Sequence, residues 1–176
     1  MESKSYNIVL SALLLSIGVL LPIAFHMFNL GGNIFLPMHI PVLIAGFLLP
    51  WQYAGAVGAI TPLLSFLLTS MPPIPSVFAM VFELFTYAVI ISLTFRKFKW
   101  AIYPSLLISM VLGRIVSILG NWVIAILITH KVFSLVKFIS SLFILALPGI
   151  IIQLIFIPII VRIVISNKEK TTVRFF

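Results

Sequence analysis

SYNIVLSALLLSIGVLLPIAFHMFNLGGNIFLPMHIPVLIAGFLLPWQYAGAVGAITPLLSFLLTSMPPIPSVFAMVF, residues 5–82, holds no Asp, Glu, Lys or Arg in 78 positions. An ordinary soluble domain is about 25% charged, so this run is neither the surface nor the core of one. A helix needs about 20 apolar residues to cross a hydrocarbon layer roughly 30 Å thick. The run therefore contains several crossings, divided by Pro, Gly and Asn. Its apolar stretches are continuous, whereas strands of a membrane barrel alternate apolar and polar positions. Helices are expected, because in lipid they satisfy their own backbone N–H and C=O groups.

Around this run the composition agrees: 176 residues, 62% hydrophobic and 8% charged, with a mean hydropathy of +1.32. Span 1 is expected at about Ile8 to Phe28, ending in the turn Asn29-Leu30-Gly31-Gly32-Asn33. Its start lacks a small-residue cleavage site and reads as a retained span rather than a signal peptide. Span 2, about Met38 to Leu49, is short for a full crossing and carries Pro37 and Pro41 at its start. It is expected to be tilted, kinked or partly re-entrant. After Pro50-Trp51-Gln52, span 3 runs from about Tyr53 to Thr69, and Met71-Pro72-Pro73-Ile74-Pro75 then forms a stiff extended loop. Span 4 is about Val77 to Phe95, span 5 about Ile102 to Ile128 and span 6 about Phe138 to Ile165. The expected fold class is an all-α membrane protein, a compact bundle of six transmembrane helices forming a single substrate-binding domain over residues 1–176.

Eleven Lys and Arg oppose three acidic residues, a net charge of +8. In a soluble chain this would point to nucleic acid; here the basic residues sit at span ends, where they fix orientation. With the N-terminus in the cytoplasm, Lys4, Arg96, Lys97, Lys99, Arg162, Lys168, Lys170 and Arg174 lie inside, and Lys131 and Lys137 outside. That bias, and an even number of spans, put both termini in the cytoplasm and the chain in the plasma membrane. The outer face then carries Asn29 to Leu36, Met71 to Pro75 and Thr129 to Lys137. There is no cysteine, so no disulfide or thiol chemistry, and no repeat between the halves to support an inverted-repeat carrier.

Two ionisable groups fall inside spans, Glu83 in span 4 and Arg114 in span 5. A charge at the centre of a membrane helix costs roughly 2.5–3.5 kcal/mol on insertion scales, so neither is idle. Either they face a hydrated cavity and bind a polar solute, or they form a buried ion pair that locks two helices. Direct pairing requires Arg114 to reach outward. Arg114, Ser117 and Asn121 share one helical face, as do Met80, Glu83 and Tyr87. Together these stripes form a cup for a small ring-bearing solute, although packing explains Met80 and Tyr87 equally well. His39, between Pro37 and Pro41 and near the turn that holds Asn33, either meets a solute or caps a kinked helix. Trp122 reads first as an interface anchor, and Gln153 as a bond between helices. His26, His39 and His130 lack metal-ligand spacing, and no cofactor is implied. Small residues at Ala12 and Ser16, and at Ser105, Ser109, Gly113 and Ser117, offer faces for close helix contact within the bundle or with another subunit. No P-loop, H-E-x-x-H or G-x-S-x-G motif occurs, so any pumping must be driven by a partner or by an ion gradient.

Several stretches resemble the S components of energy-coupling factor transporters, the substrate-binding membrane subunits of prokaryotic vitamin importers. They are Phe35-Leu36-Pro37-Met38-His39-Ile40-Pro41-Val42-Leu43, Thr61-Pro62-Leu63-Leu64-Ser65 leading to Ser70-Met71-Pro72-Pro73, Glu83-Leu84 with Tyr87, and Gly113-Arg114. The likeness covers essentially the whole chain. It implies a vitamin held in an outward cavity under the loops after span 1 and between spans 3 and 4. It also implies a complex with one membrane coupling subunit and two cytoplasmic ATPases, within which the bundle rotates. Family members commonly dock the coupling subunit through alanine-x-x-x-alanine on span 1; this chain has Ala12 and Ser16 there. The expected substrate contacts are Glu83, Arg114 and Asn121, supported by Asn33, His39 and Tyr87. A pyridoxine-, pyrimidine- or benzimidazole-like molecule is favoured, with folate, riboflavin and cobalamin open. A small membrane enzyme using Glu83 and a His, and a purely structural subunit, are the competing readings.

Overall fold

The computed structural model describes residues 3–28, 32–126, 140 and 144–173, with the side chains of residues 32, 33 and 168–173 outside that description. The expected outer loop from Thr129 to Lys137, with His130 and Lys131, lies outside the described residues, as do Asn29, Leu30 and Gly31. Among the described residues seven α-helices follow in order: α1 Lys4–Met27, α2 Gly32–Phe35, α3 His39–Leu48, α4 Trp51–Thr69, α5 Ser76–Ile91, α6 Ile102–Ile124 and α7 Leu147–Val173. No strand occurs among the described residues. Among the described residues five stretches are long and apolar enough to cross a membrane: α1, α4, α5 with its continuation to Lys97, α6, and α7 as far as Asn167.

Local chemistry sets the ends. Ser3 caps α1, its Oγ accepting the Tyr6 N–H at 3.1 Å and satisfying one of the free donors of the first turn. Pro50 precedes α4, and Ser70 closes it in the left-handed conformation at φ 56°. A side chain there crowds the following carbonyl, and glycine does not. Because Ser70 is exposed, Ser70→Gly loses no packing and is expected to stabilise the protein by about 1 kcal/mol, read as a raised thermal unfolding midpoint in detergent.

The expected span absent from these five is span 2, to which the structure gives ten residues, His39–Leu48. At 1.5 Å per residue it is about 15 Å long, half the hydrocarbon thickness. It nevertheless sits at the centre of the bundle, with Val42, Leu43, Ala45 and Phe47 almost fully buried. Two glycines permit this packing. A Cβ on Gly46 would sit 2.9 Å from the Ala88 carbonyl oxygen, and one on Gly58 would sit 2.5 Å from that of Leu84, so the backbones of α3 and α4 lie against α5.

Past Ile91, α5 continues as a π-helical turn, Ser92–Lys97. Ser92 Oγ donates to the Leu49 carbonyl at 2.8 Å and Arg96 Nη1 to the Leu48 carbonyl at 2.7 Å. These are the carbonyls that the end of α3 leaves free, so one end of the short helix is fastened. The other end, at His39, faces a void.

Candidate functional site

A helix half as long as the layer leaves a space above its start. That space is a cavity of about 320 Å³. Pro22 and His26 of α1 wall one side, and Leu36-Pro37-Met38-His39 leads down into α3. Ser65 of α4, Met80 of α5 and the loop Met71-Pro72-Pro73 complete it. The two loops that the sequence places over a cavity thus contribute to one through Leu36 and through Met71 to Pro73. Leu36 holds φ 51° and Ser70 φ 56° at the entry of these two segments, left-handed geometry that non-glycine residues adopt where surroundings impose it.

Behind His39 lies a polar cluster closed off from the cavity. Tyr87 Oη donates to Glu83 Oε1 at 2.8 Å, and Arg114 Nη1 donates to the same oxygen at 3.0 Å. His39 Nε2 is 3.6 Å from it, outside hydrogen-bond range, with its ring centroid 5.7 Å from that of Tyr87. Glu83 is 3% exposed, Arg114 4%, His39 2% and Tyr87 1%. Spacing alone put Glu83 and Tyr87 one turn apart on α5 and Arg114 on another helix; α6 brings the guanidinium across. Pairing offsets the cost of two charges in a dry interior, which is why both are tolerated there.

The pair therefore contacts directly, and neither partner lines the cavity. His39 does, and neither of its ring nitrogens has a hydrogen-bond partner. Buried polar atoms are nearly always bonded. Arg114 Nε and Gln153 Nε2 are buried and unpartnered as well. Asn121 is not among the lining residues, and its Nδ2 donates to the Ser117 carbonyl of its own helix at 2.9 Å. The side chain of Asn33 lies outside the described residues. Met80 lines the cavity, while Trp122, 45% exposed, faces outward as an anchor would.

Sequence reasoning named neither Ser65 nor Met38 as a lining residue. The signal for Ser65 was available, since a hydroxyl one turn after Thr61 in an apolar helix needs a reason to be there. A second hollow, about 310 Å³ between α5 and α6, is walled by residues such as Phe78, Phe82, Val116 and Leu119 and offers a polar solute nothing to bond. On α1, Ala12 and Ser16 are exposed, with Ser16 Oγ donating to the Ala12 carbonyl at 2.8 Å, which leaves a low, apolar strip.

No curated protein and no solved structure matches the chain significantly. The family described as ECF transporter, substrate-specific component, matches residues 6–166, a stretch that takes in every helix around the cavity. The chain belongs to that family, and is a multi-pass membrane transport subunit rather than an enzyme.

Proposed function

We propose that the chain captures a small, ring-bearing vitamin or vitamin precursor in the 320 Å³ cavity and delivers it for ATP-driven uptake. The observation that carries this reading is His39, a polar side chain 2% exposed and without a hydrogen-bond partner, set in the wall of an otherwise mostly apolar pocket. Sites for small molecules are of this kind, apolar with a few placed polar groups. Glu83, Arg114 and Tyr87 hold the ground behind His39 and position it instead of touching the solute. Asn121 spends its amide on α6 and stands outside the first contacts.

The cavity opens on the outer side and both termini are cytoplasmic, with α3 completing six spans as a half-length member. This orientation rests on Lys4, Arg96, Lys97 and Lys99 gathering at the end of the bundle away from the cavity. The exposed strip at Ala12 and Ser16 faces a membrane coupling subunit, and two cytoplasmic ATPases supply energy that this chain has no motif to release.

The test is direct. Full-length protein purified from its own membranes is expected to carry a small organic molecule, identified by mass spectrometry after denaturation, that raises the unfolding temperature when added back. Protein that carries nothing, and that no ring-bearing vitamin or precursor stabilises, would sink the reading. The purely structural alternative draws on the sealed Glu83–Arg114 pair, yet it gives no reason for the void beside His39.

A further inference from the structure

We propose that the turn at residues 96–100 seats an anionic phospholipid headgroup, with Lys97 and Lys99 meeting its phosphate and the rings of Trp51, Phe98, Trp100 and Tyr103 setting the depth at which they do so. The cavity lies at the opposite ends of α3, α4 and α5, so the inference is independent of what the chain carries.

Hydrogen bonds hold the turn. The Phe98 N–H donates to the Leu93 carbonyl at 2.9 Å and the Trp100 N–H to that of Thr94 at 3.0 Å, so the backbone is tied on both sides of Lys99. Lys99 itself takes φ 60°, a left-handed geometry that a side chain adopts where its surroundings impose it. Arg96 reaches back into the protein, its Nη1 donating to the Leu48 carbonyl at 2.7 Å. One cation of this stretch therefore fastens the turn, and the other two, Lys97 and Lys99, are exposed.

Charge points to an anion. Neither lysine makes an ion pair among the described residues; Lys97 Nζ instead lies 5.8 Å from the centroid of the Phe98 ring, itself 60% exposed. Glu83, the one carboxylate whose side chain is described, is sealed deep in the bundle with Tyr87 and Arg114. Two ammonium groups on a fixed backbone thus present unspent donors to the outside. A lysine near an anionic membrane surface is worth about a fivefold change in affinity, and the pair on the order of 25-fold.

Depth points to a lipid. Trp51 is 48% exposed, Trp100 45% and Tyr103 47%. Trp51 belongs to the same patch because Ser92 and Arg96 bond the carbonyls of Leu49 and Leu48, just before it in the chain. Indoles and phenols, apolar in body and polar at the tip, settle where hydrocarbon gives way to headgroups. The rings therefore hold both ammonium groups at the level of lipid phosphates. An acidic protein surface would match the lysines, yet it gives no reason for the half-exposed rings around them.

Native mass spectrometry reads the site on the full-length protein, stripped of lipid in a nonionic detergent and titrated with phosphatidylglycerol or with phosphatidylcholine of identical acyl chains. The first phosphatidylglycerol is expected to bind about tenfold or more tightly than the first phosphatidylcholine. Lys97→Gln combined with Lys99→Gln should remove most of that preference and leave the lipid-free unfolding temperature unchanged. Lys4→Gln, at an exposed lysine outside the turn, should change it less than about twofold. Equal binding of the two lipids overturns the inference, as does a preference that the double variant keeps or that Lys4→Gln lowers as much. So does a double variant that binds lipid like wild type but no longer assembles with the membrane and ATPase partners, which gives the face to a protein. None of these readouts involves the solute, so their failure leaves the uptake reading standing.

Discussion

Glu83→Ala is expected to destabilise the bundle by about 3–5 kcal/mol, the range for breaking a buried ion pair by removing one partner. The variant leaves the Arg114 guanidinium 4% exposed with no counter-ion, and arginine does not shed its charge in proteins. Tyr87 loses its acceptor in the same stroke, because both donors converge on Oε1. Removing both charges tells a different story. Well-packed neutral replacements for a buried pair are often neutral or stabilising by about 1–4 kcal/mol, so Glu83→Gln with Arg114→Met should recover most of the loss. Reversible unfolding in mixed detergent, read as a double-mutant cycle, gives the coupling. The stable double variant then separates two roles. If it still binds solute as tightly as wild type, the pair is a latch between α5 and α6; if binding falls while stability holds, the pair positions His39. A single Glu83→Ala variant within about 1 kcal/mol of wild type would mean that the guanidinium is hydrated, contrary to its burial.

The spans were legible because hydrophobicity and punctuation act locally. Seventy-eight positions without a charge admit few other solutions, and α1, α4 and α6 begin or end within a few residues of the expected bounds. Span 2 was legible as an anomaly, being short and proline-led, but its consequence was not: only packing shows that a ten-residue helix occupies the centre and leaves the cavity at its start. Glu83 and Arg114 stood out because charges in lipid are expensive. Which of the two outcomes they serve depends on the rotation of α6 against α5, and no spacing within either helix encodes that. Asn121 illustrates the limit. It shares a face with Arg114, yet an amide in a helix can bond the carbonyl four residues back, and here it does. His39 looked ambiguous between capping and binding; its unsatisfied nitrogens are a property of the assembled site alone.

Gly113→Ala is expected to cost about 3–4 kcal/mol, a large effect for one methyl group. A Cβ at this position would overlap the Cδ1 and Cε1 edge of the Tyr87 ring and come within 2.9 Å of its Cζ. The ring is almost fully buried, with the His39 ring beside it, so it cannot step aside freely. Overpacking of this kind costs about 1–3 kcal/mol. Displacing the phenol also strains its hydrogen bond to Glu83, and bonds to charged groups are worth about 1.5–3 kcal/mol. The alternative is for α6 to retreat, but Arg114 is the next residue, so a retreat lengthens the 3.0 Å contact with Glu83. Either way the cluster behind the cavity loosens, and solute binding should fall with stability. Gly120→Ala is the control on the same helix: its Cβ would meet Ala79 at 3.3 Å, tight but without a ring behind it, and a cost of about 1 kcal/mol or less is expected. Adding Tyr87→Leu to Gly113→Ala should relieve the overlap and recover part of the stability without restoring the hydrogen bond. If Gly113→Ala unfolds like wild type, then α6 does not approach α5 closely enough for Tyr87 and Arg114 to share one carboxylate oxygen, and His39 would lose the support on which solute capture depends.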